Sequence, residues 1–315
     1  MYDDKIWSRW RLQGRRLPSD AIIRPVRIAG RDAQHHRDRL GENMNSKLRL
    51  MLLMWLVLIG TAHADTLDQI KKDGVLVVGV RNGMRPFGFI DKAKMELVGY
   101  DVDFARAIAG KLGVKLQLKS SDAKSPDAPL IPLLLERKVD LIAGAMTKSA
   151  ERMKQIDFSL TYYVTGQTFL VKKGTVKAVS DLAGKTIGTT RKSTAIDNLK
   201  NVLPGITVVR FSNYREAFTA LKMGGISAVC TDATLLEGLL AADPQKAAYE
   251  ILDARISSES YGLGVRKGDR KLLDFVDRTL LELEQSGGAE KIYDKWFGKD
   301  SEFYTKRAFT ITADK

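Results

Sequence analysis

Four places along the chain combine residue types that can recognise a small charged molecule. Arg152 follows the apolar run 140–144. A guanidinium at a strand end can hold a carboxylate through two parallel hydrogen bonds, a geometry lysine does not reproduce. The same side chain can instead sit in solvent, paired with Glu151 or Asp157. Ser193 and Thr194 precede an amphipathic stretch, so they stand where the free N–H groups of a helix start gather an anion. They also suit ordinary N-capping. Asp232 lies just past the run 227–230, where ligands of open α/β sheets collect, and equally well caps a helix opening at Ala233. Arg81 follows the first apolar run and adds a fixed positive charge.

The chemistry that is missing narrows the reading. The three histidines are His35, His36 and His63, and the one cysteine is Cys230. All three histidines fall in the first 64 residues, which do not resemble the rest. Lys47 and Arg49 give a basic start, 50–59 is an unbroken apolar run, and Ala62-His63-Ala64 is a small-x-small site. Residues 44–64 therefore read as a secretory signal peptide, cleaved after Ala64. A ten-residue apolar run spans about 15 Å as a helix, half of a membrane's hydrocarbon thickness. Residues 1–43 are basic, have no apolar period, and read as a non-native or disordered extension ahead of a start at Met44. Residues 65–315 hold 39 Lys and Arg against 32 Asp and Glu, or +7, spread without blocks. That is a solvated surface and gives no support to nucleic-acid binding. Without histidine and with one cysteine, histidine triads, histidine metal sites and cysteine clusters are excluded from 65–315, and neither metal nor cofactor is expected.

The elements that must position these groups are short apolar runs alternating with amphipathic stretches, the mark of an α/β fold with crossover helices. Strands are expected at 75–80, 115–119, 140–144, 167–171, 186–188, 207–210 and 227–230. Helices are expected near 129–137, 193–203, 213–223, 269–285 and 288–297. Another begins near Asp101, with Val102, Ala105, Ile108 and Leu112 on one face and Gly113 closing it. Asp101 is expected to cap it and Asp103 to complement its dipole. The strand–helix alternation occurs twice, which predicts a first lobe over 65–171, a second over 172–254, and a return to the first over 255–315.

Gly99-Tyr100-Asp101-Val102-Asp103-Phe104, then Ile108-Ala109 and Leu112, resembles the signature of the bacterial extracellular solute-binding proteins, family 3, which serve polar amino acid importers. The block Asp140 to Thr147, Glu151-Arg152 and Asp157-Phe158-Ser159 is similar to that family's ligand-binding segment. Asp181 to Lys185, Ser193-Thr194, Thr231-Asp232 and Ile292 to Gly298 match further landmarks, so the resemblance covers 68–298. It implies two α/β lobes of the type II periplasmic-binding-protein kind, joined by a two-stranded hinge and closing over a ligand. It also implies a periplasmic monomer, not an enzyme, that delivers an amino acid to the permease and ATPase of an ABC importer.

Within that resemblance the roles fall into place. Arg152, with the helix-end amides at Ser193 and Thr194, takes the ligand's α-carboxylate. Asp232, the Thr147 hydroxyl and the Ala145 carbonyl take the α-ammonium. Arg81 and Met84 face the ligand side chain. Relatives for cationic ligands or glutamine often carry an acid at the Arg81 position; an arginine there is similar to the glutamate/aspartate-binding branch, so an acidic amino acid is expected. Met84 in place of an aromatic wall, Lys192 in place of glycine and Leu130 in place of arginine depart from that branch, leaving another polar amino acid open. A cyclohexadienyl-dehydratase-like enzyme also stays open, because a carboxylate-based reaction needs no histidine.

Overall fold

The structure is a computed structural model and describes residues 65–120 and 130–313. The extension over 1–43 and the signal peptide over 44–64 lie outside the described residues. In chain order the first elements are α1 (Thr66–Asp73), β1 (Val75–Val80), β2 (Gly83–Met84), β3 (Gly88–Asp91), β4 (Glu96–Val98), α2 (Tyr100–Leu112) and β5 (Lys115–Ser120). Next come α3 (Ile131–Leu135), β6 (Leu141–Ala143), α4 (Ala150–Met153), β7 (Ile156–Thr165), β8 (Gln167–Lys172), β9 (Thr186–Thr190) and α5 (Ala195–Val202). The remainder is β10 (Thr207–Phe211), α6 (Tyr214–Lys222), β11 (Ala228–Asp232), α7 (Ala233–Ala241), β12 (Tyr249–Ile251), β13 (Glu259–Arg266), α8 (Arg270–Gln285) and α9 (Gly288–Phe297).

Two five-stranded sheets organise these elements, with strand orders β5-β1-β6-β13-β7 and β10-β9-β11-β8-β12. Each has three parallel strands continued by two antiparallel ones. The chain is therefore α/β and two-lobed. β8 corrects one boundary: Gln167–Lys172, read from sequence as the end of the first lobe, pairs with β11 and β12 in the second sheet. Apolar patterning identifies a strand but not its partner, and the crossing takes a single residue, Gly166. A β-carbon at Gly166 would lie 2.5 Å from the Ser257 carbonyl oxygen, because the return crossing to β13 runs directly against it. These two crossings form the hinge.

Local sequence accounts for the helices. α1 starts on the Asp65 carboxylate, which accepts from the Leu67 N–H at 3.1 Å, and stops at Gly74 in the left-handed conformation. α2 buries Val102, Phe104, Ala105, Ile108 and Ala109 and ends at left-handed Gly113. The core of the first lobe is aromatic. Phe87, Tyr100, Tyr163, Tyr261, Tyr293 and Phe297 meet with ring centroids 4.9–6.3 Å apart, each ring adding about 1.5–3 kcal/mol by burial. Two of their hydroxyls reach the second lobe: Tyr163 bonds the Thr234 hydroxyl at 2.9 Å, and Tyr261 donates to Asp232. Cys230 is buried in the second-lobe core.

Candidate functional site: a cleft between two lobes

A cleft of about 1220 Å³ opens between the lobes where strands of both sheets end. Arg81, Met84, Ala145, Thr147, Arg152, Ser193, Thr194 and Asp232, all eight residues singled out from sequence, line it together. Arg81 follows β1, Ala145 and Thr147 follow β6, Ser193 and Thr194 follow β9, and Asp232 closes β11. Parallel strands put their carboxyl ends on one side of a sheet, so strand ends in two sheets deliver these groups to one place.

Arg152 is half-buried on α4, whose N-cap Ser149 accepts from the Arg152 N–H at 3.4 Å. Glu151 pairs with Lys154 and Asp157 with Lys267, so neither engages the arginine. Its guanidinium donates to the Thr147 carbonyl at 2.9 Å and, across the cleft, to the Lys192 carbonyl at 3.3 Å. With five N–H donors on the group, this leaves donors for a carboxylate.

In the second lobe, Ser193 and Thr194 precede α5. The Ser193 hydroxyl accepts from the Ala195 N–H at 3.1 Å and from Tyr214 at 3.2 Å. Thr194 occupies the N-cap position without a capping side-chain bond; its hydroxyl joins Gln167 at 2.7 Å and Glu259 at 3.3 Å. Asp232 stands at the N-cap position of α7 and does not cap it either. One carboxylate oxygen accepts from Tyr261, and Oδ1 is buried with no hydrogen bond of regular geometry. The cap reading of Asp232 therefore does not hold.

The electrostatics follow from burial. Loss of water pushes the Asp232 carboxyl up to about 7, against the Tyr261 bond, with Glu259 raising it further and Arg152 and Gln167 drawing it down. Burial lowers the Arg152 pKa and Asp232 opposes that shift. Each partner thus stabilises the other's charge across the cleft.

Three features escaped the sequence reading. Asp101 was expected to cap α2, but Gly99 holds the cap position and Asp101 is wholly buried, accepting from the Ala145 N–H at 2.8 Å and the Tyr162 hydroxyl at 2.5 Å. A polar cluster at the hinge joins Glu259 to Asn198 at 3.1 Å and Ser257 at 2.7 Å, and Asn198 to Gln167 at 2.9 Å. Only the Ser/Thr/Asn/Gln content of these segments hinted at it. The third is Gly238 on α7, where a β-carbon would lie 2.0 Å from the Arg85 carbonyl oxygen of the first lobe. Alanine for glycine inside a helix usually stabilises by about 0.5–1 kcal/mol. Gly238→Ala should instead weaken ligand affinity about tenfold or more by holding the lobes apart, while the ligand-free melting temperature stays level or rises; calorimetry and thermal melting read the two effects separately.

Two α/β lobes, a two-segment hinge and a cleft presenting a cation from one side and a carboxylate from the other define a solute-binding protein. The sequence over 76–299 matches the model of the bacterial extracellular solute-binding proteins, family 3, and the chain belongs to that family. It is 40% identical over 224 residues to a glutamine-binding protein of Geobacillus stearothermophilus, covering 70% of this chain and 83% of the relative. It is 34% identical over 269 residues to a glutamate/aspartate import solute-binding protein of Salmonella typhimurium, covering 80% and 88%. Among solved structures, an ancestral amino acid-binding protein described as a precursor of cyclohexadienyl dehydratase superposes with a TM-score of 0.65 at 35% identity, covering 74% of this chain and 99% of that one.

Proposed function

We propose that the chain is the periplasmic binding component of an amino acid ABC importer, a monomer that clamps its ligand between the lobes and passes it to the permease and ATPase. The observation that carries this reading is that Arg152 of the first lobe and Asp232 of the second line one cleft, the latter with a buried oxygen that makes no regular hydrogen bond. The α-carboxylate meets Arg152 and the helix-start amides at Ser193 and Thr194. The α-ammonium meets Asp232, the Thr147 hydroxyl and the Ala145 carbonyl. Arg81 and Met84 then face the side chain, and the arginine favours glutamate or aspartate. The relatives' names divide among glutamine, glutamate/aspartate, cystine and arginine, and the positive charge of Arg81 is what supports an acidic ligand here.

A thermal-shift screen of the chain against the twenty amino acids tests this. A ligand at a hundred times its Kd contributes about 2.7 kcal/mol, or roughly 5–10 °C for a protein this size. The largest shift is expected with L-glutamate or L-aspartate. Shifts with arginine or glutamine alone would refute the role given to Arg81 while leaving the clamp intact.

One observation favours a second reading. A carboxyl brought up to about 7 at Asp232 suits proton transfer, and the solved relative above is described as the precursor of a dehydratase. Incubation with prephenate or arogenate should give no aromatic product if binding is the whole function.

A further inference from the structure

Ala145 is a non-glycine residue with φ of 47°, inside the left-handed region that β-carbons disfavour by about 1–2 kcal/mol. It lines the cleft, and its N–H is held at 2.8 Å by Asp101 Oδ2 from the opposite side. The other oxygen of Asp101 is fixed by the Tyr162 hydroxyl, and Tyr100, next to it on α2, donates to the Tyr162 carbonyl at 2.8 Å. Asp101 itself has no exposed surface and sits among Tyr100, Val102 and Phe104 in the first-lobe core. Arg81 is near enough that its charge favours the ionised carboxyl, which burial alone would push higher than the value of about 6. The charged and titratable groups facing Asp101 are thus Tyr162 from β7, Tyr100 from its own helix and Arg81 from the loop after β1.

A wholly buried carboxylate needs a compensating purpose, and a helix first turn supplies only a weak one. We infer that Asp101 is a positioning residue for the ligand: its carboxylate tethers Ala145 in the left-handed conformation that presents this stretch of backbone to the cleft. The inference rests on the amino acid-binding reading, since Ala145 acts there through its backbone. The Asp-x-Asp signature at the start of α2 then serves the ligand from behind the cleft wall, although neither carboxylate touches it. Asp103 instead bonds Lys295 at 2.6 Å and the Trp296 indole at 2.8 Å, fixing α9 against α2.

The test separates a tether from a generic core contact. An Asn side chain has one neutral acceptor oxygen and reaches Tyr162 only by turning its NH2 to donate to the phenol oxygen, so the tether to the Ala145 N–H loses its charge-assisted strength. Glycine adopts positive φ without the β-carbon penalty and needs no tether. Calorimetric titrations of the full chain with L-glutamate, L-glutamine and L-arginine are compared for wild type, Asp101→Asn, Ala145→Gly and the double variant, each with a ligand-free melting curve. Asp101→Asn should weaken binding about tenfold or more. Ala145→Gly alone is measured as the reference: against it the double variant should lose much less affinity than Asp101→Asn loses against wild type, and should bind better than Asp101→Asn, without regaining melting temperature. Wild-type affinity in Asp101→Asn, or a double variant no better than Asp101→Asn, overturns the inference. If Asp101→Asn does not fold, Tyr162→Phe carries the test, because it frees the carboxylate that the hydroxyl orients; its smaller loss should likewise be relieved by Ala145→Gly, and absence of relief overturns the tether. A wild-type chain that binds none of the three amino acids defeats the binding reading instead, and the inference with it.

Discussion

Arg152→Ala is expected to abolish amino acid binding, weakening it about a hundredfold or more, while the ligand-free protein stays folded. Removing one partner of a desolvated, charge-assisted pair typically costs about 2–5 kcal/mol. Here it also leaves Asp232 with less positive charge nearby to favour its ionised form. The fold itself should lose little. In the first lobe and across the cleft the guanidinium bonds two carbonyls, of Thr147 and Lys192, and no core packing depends on it. Arg152→Lys keeps the charge but not the two-pronged geometry, so it should recover a minor part of the affinity. Calorimetry on the three proteins checks the order wild type, lysine, alanine. A lysine variant equal to wild type would reduce the role of Arg152 to a point charge.

The second large effect is a pH dependence of opposite sign in the free and bound protein. The Asp232 carboxyl is raised to about 7 and Asp101 to about 6, both chiefly by burial, whereas an unfolded aspartate titrates near 3.9. Between those values the folded chain binds more protons than the unfolded one. The contribution of these two groups to ligand-free stability therefore falls as pH rises from about 4 towards 7. Binding runs the other way, because a ligand ammonium is attracted to the carboxylate and not to the acid. Below pH 7, affinity should drop by up to about tenfold per pH unit, with protons released on binding. Asp232→Asn should lose affinity at every pH, lose most of this slope, and gain ligand-free stability at pH 8. Melting curves and titrations from pH 5 to 8 read both signs. An affinity independent of pH would mean that the ammonium is held elsewhere.

How far the sequence carried can be judged element by element. α2 was legible because Val102, Ala105, Ile108 and Leu112 repeat at helical spacing and Gly113 supplies the stop. Most of the residues named for the cleft were legible because ends of parallel strands converge in such folds and several matched blocks fixed which strand ends matter; Met84 on β2 and Arg152 on α4 came from the matched blocks alone. β7 was missed. Its ten residues, from Ile156 to Thr165, bury both faces irregularly and show no clean alternation. The sheet membership of β8 was missed because pairing is decided by partners some sixty residues away, at Ala228–Asp232. Asp101 was misread for the same reason: a carboxylate early in a helix looks like a cap until Ala145, forty-four residues on, supplies its donor. The Glu259, Gln167 and Asn198 cluster likewise consists of contacts that local patterning does not record.

A clamp on both charges of an amino acid is probed by titrating the chain with its best amino acid from the thermal screen beside the α-methyl ester and N-acetyl derivatives of the same compound. The ester removes the charge assigned to Arg152 and the helix start, and the acetyl group removes the charge assigned to Asp232. Each derivative should bind about a hundredfold more weakly or not at all. Either derivative binding as tightly as the parent amino acid would contradict the clamp.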